Sequence, residues 1–340
     1  MDSTHRKAAG LVTCAVTAVL AIVPATGAAA ETLTLSTLAE RGSEAHQAAE
    51  RLAGRVAEAT DRRIKIQVRP ASELGDWPEV HEAVVYGAVD LALQPLSTQF
   101  DARLAIAWFP YTVQDYASAR EAFAEGGYIF EAVEAMLEGG AVEILAPYAV
   151  GMGGAGFTSV VPQPRNPDAE RRLRVRVWPG GTTHLELMKR FGFSVATLPW
   201  AELDGALRTG LVDGLIGGTP QLATESFKDQ LKMWVQYNDH FEIWWLMMNR
   251  ALFSSLPSDD QAALLAAASE MGHQSFETAQ QTDQDSLETL REAGVEVVVL
   301  NDAELEAFTR AAREDVWPKI ADEIGPEAMN QLEAHLGLSQ

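Results

Sequence analysis

Arg176 is the residue best placed to do chemistry. It lies in Leu173-Arg174-Val175-Arg176-Val177-Trp178-Pro179-Gly180, an alternating run that predicts a short strand stopped by Trp-Pro-Gly. Alternation sends Arg174 and Arg176 to one face and Val175 and Val177 to the other. An arginine at the carboxyl end of a strand can reach a cleft, where its planar fork holds a carboxylate through two hydrogen bonds. Trp178 beside it offers a flat apolar wall. Composition alone leaves a second reading open, a surface arginine neutralised by an acidic protein.

Other chemistries find less support. Gly151-Met152-Gly153-Gly154-Ala155-Gly156 fits the spacing of a dinucleotide loop, but that loop must open a helix whose amides face a pyrophosphate. Here Phe157-Thr158-Ser159-Val160-Val161-Pro162 follows, extended and then broken, so the glycines read as a flexible crossing between lobes. Seven histidines show neither a two-His helical spacing nor a His/Cys pair, so no metal site is expected. No serine-hydrolase elbow and no phosphate loop occur. Carboxylates are too common for any pair to signal glycoside chemistry. No catalytic residue and no cofactor is expected.

The elements that must position Arg176 follow a repeated pattern. Strand-like runs at Leu33–Ser36, Ile64–Val68 and Asp90–Leu93 alternate with helical patterns over Ser43–Thr60 and Glu79–Tyr86. A second series follows: a strand at Arg174–Val177, a helix over Gly181–Phe191, an extended run at Ser194–Thr197, a helix over Trp200–Arg208 and an extended run at Val212–Ile216. Strands alternating with helices predict an α/β fold with largely parallel sheets. The halves share a signature: Gly87-Ala88-Val89-Asp90 matches Gly210-Leu211-Val212-Asp213, each after a helix and before an apolar strand. Two lobes of like topology place a cleft where their strand ends face each other. Residues 258–293 read as one long helix or two broken near Gly272. Further helices are expected over 304–313 and 326–336.

Composition bounds the class. A basic start (His5, Arg6, Lys7), an apolar run from Leu11 to Val23 and small residues through Ala30 describe a secretory signal peptide cleaved after Ala30. A lipoprotein anchor at Cys14 is disfavoured by its early position and by Thr13. Cys14 is the only cysteine, so the exported chain has no disulfide and no thiol nucleophile. No later stretch is long and apolar enough to cross a bilayer, which takes ~20 residues. The formal charge is −22, and the leader is net positive, so the exported chain is more acidic still. Nucleic acid is thereby excluded as a partner. The acidity reads as a solvated surface.

Several stretches together resemble the extracytoplasmic solute-binding proteins of tripartite ATP-independent periplasmic (TRAP) transporters, the DctP-like family. They are Leu74-Gly75 followed by a helix and Gly87-Ala88-Val89-Asp90; Trp108-Phe109-Pro110-Tyr111; the run from Leu173 through Gly214, with Thr197-Leu198-Pro199-Trp200 and Leu207-Arg208-Thr209-Gly210-Leu211-Val212-Asp213-Gly214; and Asn249 before Arg250-Ala251-Leu252-Phe253. The resemblance spans nearly all of residues 31–340. It implies a two-lobed periplasmic binding protein with a hinge, a ligand cleft and a long bracing helix. The first lobe is expected over 31–148 with part of 241–300 returning to it, the second over 149–240, the bracing helix over 258–293 and C-terminal helices over 301–340. It further implies that Arg176 pairs with a ligand carboxylate and that a small and a large membrane subunit are the partners.

One departure bears on the ligand. Where many members carry a polar run with an asparagine, this chain has Leu215-Ile216-Gly217-Gly218-Thr219-Pro220. Gly217 and Gly218 would admit a ligand to backbone amides, and Thr219 offers a hydroxyl. Glu40 could receive an amine, and Trp77, Trp108, Tyr111, Tyr148, Trp178, Phe241, Trp244 and Trp245 are aromatics near expected cleft positions. The expected ligand is a small organic acid or amino-acid-like compound held by Arg176, Trp178, Gly217, Gly218, Thr219, Glu40, Trp77, Tyr111, Tyr148 and Phe241. Alternatives are an amine or other cation in an aromatic cleft, a receptor module for a signalling partner, or a cleft enzyme.

Overall fold

Two equivalent turns organise two sheets. The computed structural model describes residues 30–338; the expected leader lies outside the described residues. Gly87 (φ +72°) and Gly210 (φ +69°) each leave a helix in the left-handed region, which costs glycine no Cβ clash. Three residues on, an aspartate reaches the adjacent strand. Asp90 Oδ2 accepts from Thr34 N at 2.7 Å, and Asp213 Oδ2 accepts from Arg174 N at 2.8 Å. The signature shared by the halves is thus a device that pins one strand to its parallel neighbour.

The first sheet contains β1 (Glu31–Thr37), β2 (Ile64–Arg69), β3 (Leu91–Gln94), β4 (Val142–Met152) and β10 (Phe241–Asn249), in the order β2-β1-β3-β10-β4. The second contains β5 (Gly154–Phe157), β6 (Arg174–Val177), β7 (Ser194–Thr197), β8 (Gly214–Gly218), β9 (Met233–Gln236) and β11 (Glu296–Val299), ordered β11-β9-β5-β8-β6-β7. Strands joined through helices pair in parallel, β1 with β2 and β3, and β6 with β7 and β8. The exceptions to the largely parallel expectation are β5 and β10, which pair antiparallel with both neighbours. Both lie where the chain changes lobe directly, without the crossover helix that parallel pairing requires.

The lobes are joined by two short backbone crossings. Gly153 alone separates β4 from β5, and Tyr237 to His240 separate β9 from β10. The crossings bond to each other, Gly153 N to His240 O at 2.8 Å and Asn238 N to Gly153 O at 2.9 Å. A side chain on Gly153 would collide with the His240 ring.

Ser258–Glu292 is a single helix of 35 residues, ~52 Å long at 1.5 Å per residue. It packs on β4 and the helix Glu44–Ala59 of the first lobe and on the helix Pro220–Ser226 and β11 of the second. It also covers an exposed sheet edge. β4 is the outer strand of its sheet, and its outward N–H groups are met by helix side chains: Ala149 N donates to Ser275 Oγ and Met152 N to Asp283 Oδ2, both at 2.8 Å. The C-terminal helices, Asp302–Asp315 and Trp317–His335, the latter bent at Gly325 ahead of Pro326, pack on the helix Thr182–Arg190 of the second lobe and fold back onto the first. There Arg313 donates to Tyr111 O and Trp317 Nε1 to Pro110 O, each at 2.8 Å.

Candidate ligand site

Arg176 stands on β6 at the facing ends of the lobes and is 1% exposed. Its Nε donates to Leu198 O at 2.9 Å, and its guanidinium lies over the Trp200 ring, 5.5 Å from the centroid. One terminal nitrogen is buried without a protein partner, and among the described residues no carboxylate lies within salt-bridge distance. Burial lowers its pKa to about 10, offset in part by the charges of Asp76 and Glu242, so it is a cation at neutral pH. A buried cation without an anion is costly. The site is built to receive one.

A narrow cavity lies against Arg176. Its walls are Trp77, Trp108, Trp178, Trp200 and Trp244, five of the chain's eight tryptophans, with Leu38, Pro95, Leu222 and Gly217 between them. Trp108 links the two lobes' contributions, with ring centroids 5.9 Å from Trp77 and 5.6 Å from Trp178. Trp178 Nε1 is buried with no protein acceptor and is a second unspent donor on the lining. Among the described residues, the charged side chains lining the cavity are Arg176 and Glu242. The lobes touch across the cleft: Trp200 N donates to Asp76 Oδ2 at 3.2 Å and Thr98 Oγ to Gly180 O at 2.8 Å.

Glu242 and Trp244 project from β10 on one face, two residues apart. Trp244 Nε1 donates to Glu242 Oε1 at 2.9 Å, while Glu242 Oε2 lies 3.1 Å from His240 Nε2. The chain of contacts continues beneath the cavity. His240 Nδ1 is 2.6 Å from Asp239 Oδ2, which is also 3.0 Å from His184 Nε2, and His184 packs at 4.7 Å against Trp178. Burial alone would lower the His240 pKa, but the Asp239 charge and hydrogen bonds to Asp239 and Glu242 outweigh it and raise it to about 10. Burial likewise opposes the Asp239 carboxylate, and the two histidines hold it below the usual range nonetheless. Burial lowers His184. One imidazolium therefore sits between two carboxylates. Donor atoms of His184, Asp239 and His240 lie within 4.8 Å of one another, close enough to hold a metal. The N–O spacings are those of hydrogen bonds and the residues are fully buried, so ion pairing accounts for the cluster.

Of the residues singled out in the sequence, Arg176, Trp178, Gly217, Trp77, Trp108 and Trp244 line the cavity, and Trp245 does not. Gly217 (φ +83°) lies so close to Trp178 that a Cβ there would strike the ring. Gly218 is buried beside it, and Thr219 caps the helix Pro220–Ser226 by accepting from Leu222 N. Glu40 lies in an outer crevice with Asp204 and Glu225, which shares Leu38 and Trp200 with the cavity. Tyr111 is packed on Phe191 outside it. Tyr148 lines a separate crevice between helices. Phe241 packs against Tyr116, Phe123 and Phe276, because alternation turns it to the opposite face of β10 from Glu242. Glu242 was not singled out in the sequence, though it is the only charge in the apolar run Phe241–Asn249.

Comparison with known proteins places this geometry. The chain is 25% identical over 293 residues to the ectoine-binding periplasmic protein TeaA of Halomonas elongata, covering 80% of each chain. It is 26% identical over 291 residues to the C4-dicarboxylate-binding periplasmic protein DctP of Rhodobacter capsulatus, covering 81% of this chain and 82% of that one. A TRAP periplasmic solute-binding protein of Ralstonia eutropha, solved with bound (S)-2-acetolactate, superposes with a TM-score of 0.81 at 20% identity over 91% of this chain and 99% of that one. The DctP family, bacterial extracellular solute-binding protein family 7, matches residues 35–323, and this two-lobed chain, with its buried arginine in the cleft, belongs to that family.

Proposed function

We propose that the protein is the periplasmic solute-binding component of a TRAP transporter. It captures a small organic acid or amino-acid-like compound between its lobes and delivers it to a small and a large membrane subunit. The observation that carries this reading is Arg176: a buried guanidinium with one unpartnered nitrogen, lining a cavity walled by tryptophan. A ligand carboxylate would complete its hydrogen bonds in the bidentate geometry that arginine favours. Because β6 belongs to one lobe and Trp77, Trp108 and Trp244 to the other, a ligand there touches both and stabilises their closure. No reacting pair is needed, and the protein acts by binding rather than turnover. Among the described residues no helix is long and apolar enough to cross a membrane, which fits a receptor that meets its membrane partners at a surface.

The test is calorimetric titration of the leaderless chain, unfolded and refolded to strip carried-over solute, against organic acids and amino-acid-like compounds. At least one carboxylate is expected to bind, and Arg176→Ala to weaken it by about a hundredfold, the ~3 kcal/mol of a charge-assisted contact. Binding that is indifferent to Arg176→Ala would remove the carboxylate site.

A further inference from the structure

The ligand cavity holds two opposite charges, and only one is accounted for by a carboxylate ligand. Glu242 lines the same space as Arg176. Both its hydrogen-bond neighbours, Trp244 Nε1 and the His240 imidazolium, are donors, so Glu242 meets them as an acceptor and keeps further lone pairs for a ligand. His240 does not cancel this charge, since it is shared with Asp239 at 2.6 Å. Two acids, Asp239 and Glu242, thus share one imidazole ring beneath the cavity. An anionic ligand on Arg176 would place like charges in one small space. A dicarboxylate would place its second carboxylate against Glu242.

The walls and the approach point the same way. Tryptophan offers the strongest aromatic face to a cation, and Trp77, Trp108 and Trp244 line the cavity together with Glu242. The outer crevice that meets the cavity at Leu38 and Trp200 is acidic, with Glu40, Asp204 and Glu225 on its sides. Asp204 is paired with Arg208 at 2.9 Å, which leaves Glu40 and Glu225 as the unpaired acids among the crevice's lining residues. Two acids beside the cavity disfavour a dianion relative to a ligand with a positive end.

We infer that the ligand is a zwitterion, its carboxylate on Arg176 and a quaternary ammonium or planar amidinium-type cation between Glu242 and the tryptophan walls. The inference rests on the carboxylate reading of Arg176 and adds Glu242 as the residue that sets specificity.

Isosteric pairs isolate the charge. Glycine betaine and tert-butylacetate share shape and carboxylate and differ only in nitrogen for carbon. A second pair is γ-guanidinobutyrate and its all-carbon isostere. Titration of the refolded leaderless chain at neutral pH is expected to show at least one zwitterion binding about tenfold or more tighter than its carbon partner. Glu242→Gln, which retains an acceptor for Trp244, is expected to abolish that preference. The wild-type comparison stands by itself should the variant fail to fold. Carbon isosteres that bind as tightly, a preference that survives Glu242→Gln, or no binding of either zwitterion would overturn the inference. Equal affinities within each pair, both lost in Arg176→Ala, would remove the cation site and leave the carboxylate site. A preference retained in Arg176→Ala would instead remove the carboxylate site.

Discussion

At the residue scale the site is made by side chains whose partners are unusual for their surroundings. Arg176 was legible in the sequence because alternation in Arg-Val-Arg-Val and the Pro-Gly stop fix which face it takes and where the strand ends. Glu242 was harder to see, because a charge in an apolar run reads equally as a strand end or an edge, and only the tertiary arrangement of β10, beside β4 and against the cleft, makes it buried. Tyr111, Tyr148 and Phe241 illustrate the opposite limit: an aromatic near a cleft in sequence order says nothing of which face it presents. Gly217 carries a prediction of its own. Its left-handed φ and its closeness to Trp178 mean that Gly217→Ala strains the backbone and pushes the indole out of the cavity wall. The expected result is a loss of ligand affinity of about tenfold or more, of order 1–3 kcal/mol, with Trp178 fluorescence shifted by the change of environment. Unchanged affinity would mean that the Trp178 wall is not part of the ligand's environment.

At the element scale the long helix shows how a glycine can be read two ways. In sequence, Gly272 is a plausible break between two helices. In the structure it is buried mid-helix, and a Cβ there would sit 2.7 Å from Pro147 O on β4. The glycine permits close approach of the helix to the sheet edge, a tertiary reason that periodicity cannot reveal. The sign of a substitution tells the cases apart. In an exposed helix Gly→Ala stabilises by ~1 kcal/mol. Here Gly272→Ala is expected to destabilise by ~1–3 kcal/mol through overpacking, measured as a lower midpoint in urea with little change in slope. A raised midpoint would show that β4 yields to the helix. The turns at Gly87 and Gly210 were legible for a simpler reason: the left-handed glycine and the aspartate three residues later are local features, and each acts within its own strand pair.

At the scale of the whole molecule the hinge is braced by one buried acid. Asp283, on the long helix, accepts from Met152 N at 2.8 Å where β4 approaches the crossing, bonds Tyr116 of the first lobe and faces the backbone N–H of Gln221 in the second. Its other oxygen is buried without a partner. Burial raises its pKa to about 7, although the hydrogen bonds from Tyr116, Met152 and Gln221 oppose the rise. The folded protein thus holds this proton more tightly than the unfolded chain, where an aspartate titrates near 3.9. Between those values the native state binds more protons, so the contribution of Asp283 to stability falls as pH rises through the window and levels off above about 7. At ~1.4 kcal/mol per unit the total is of the order of a few kcal/mol. Asp283→Asn retains an acceptor without the charge, so it is expected to be more stable than the parent at and above neutral pH, and the two are expected to converge toward acid. The difference between the two proteins separates this effect from His240, whose raised pKa gives stability that is present below its unfolded value of ~6.5 and lost as pH climbs toward about 10. Melting curves of both proteins across that range decide the matter. A difference that is independent of pH would mean that Asp283 is ionised throughout, held by its three donors, and that the hinge carries a permanent buried charge rather than one that depends on the pH of its surroundings.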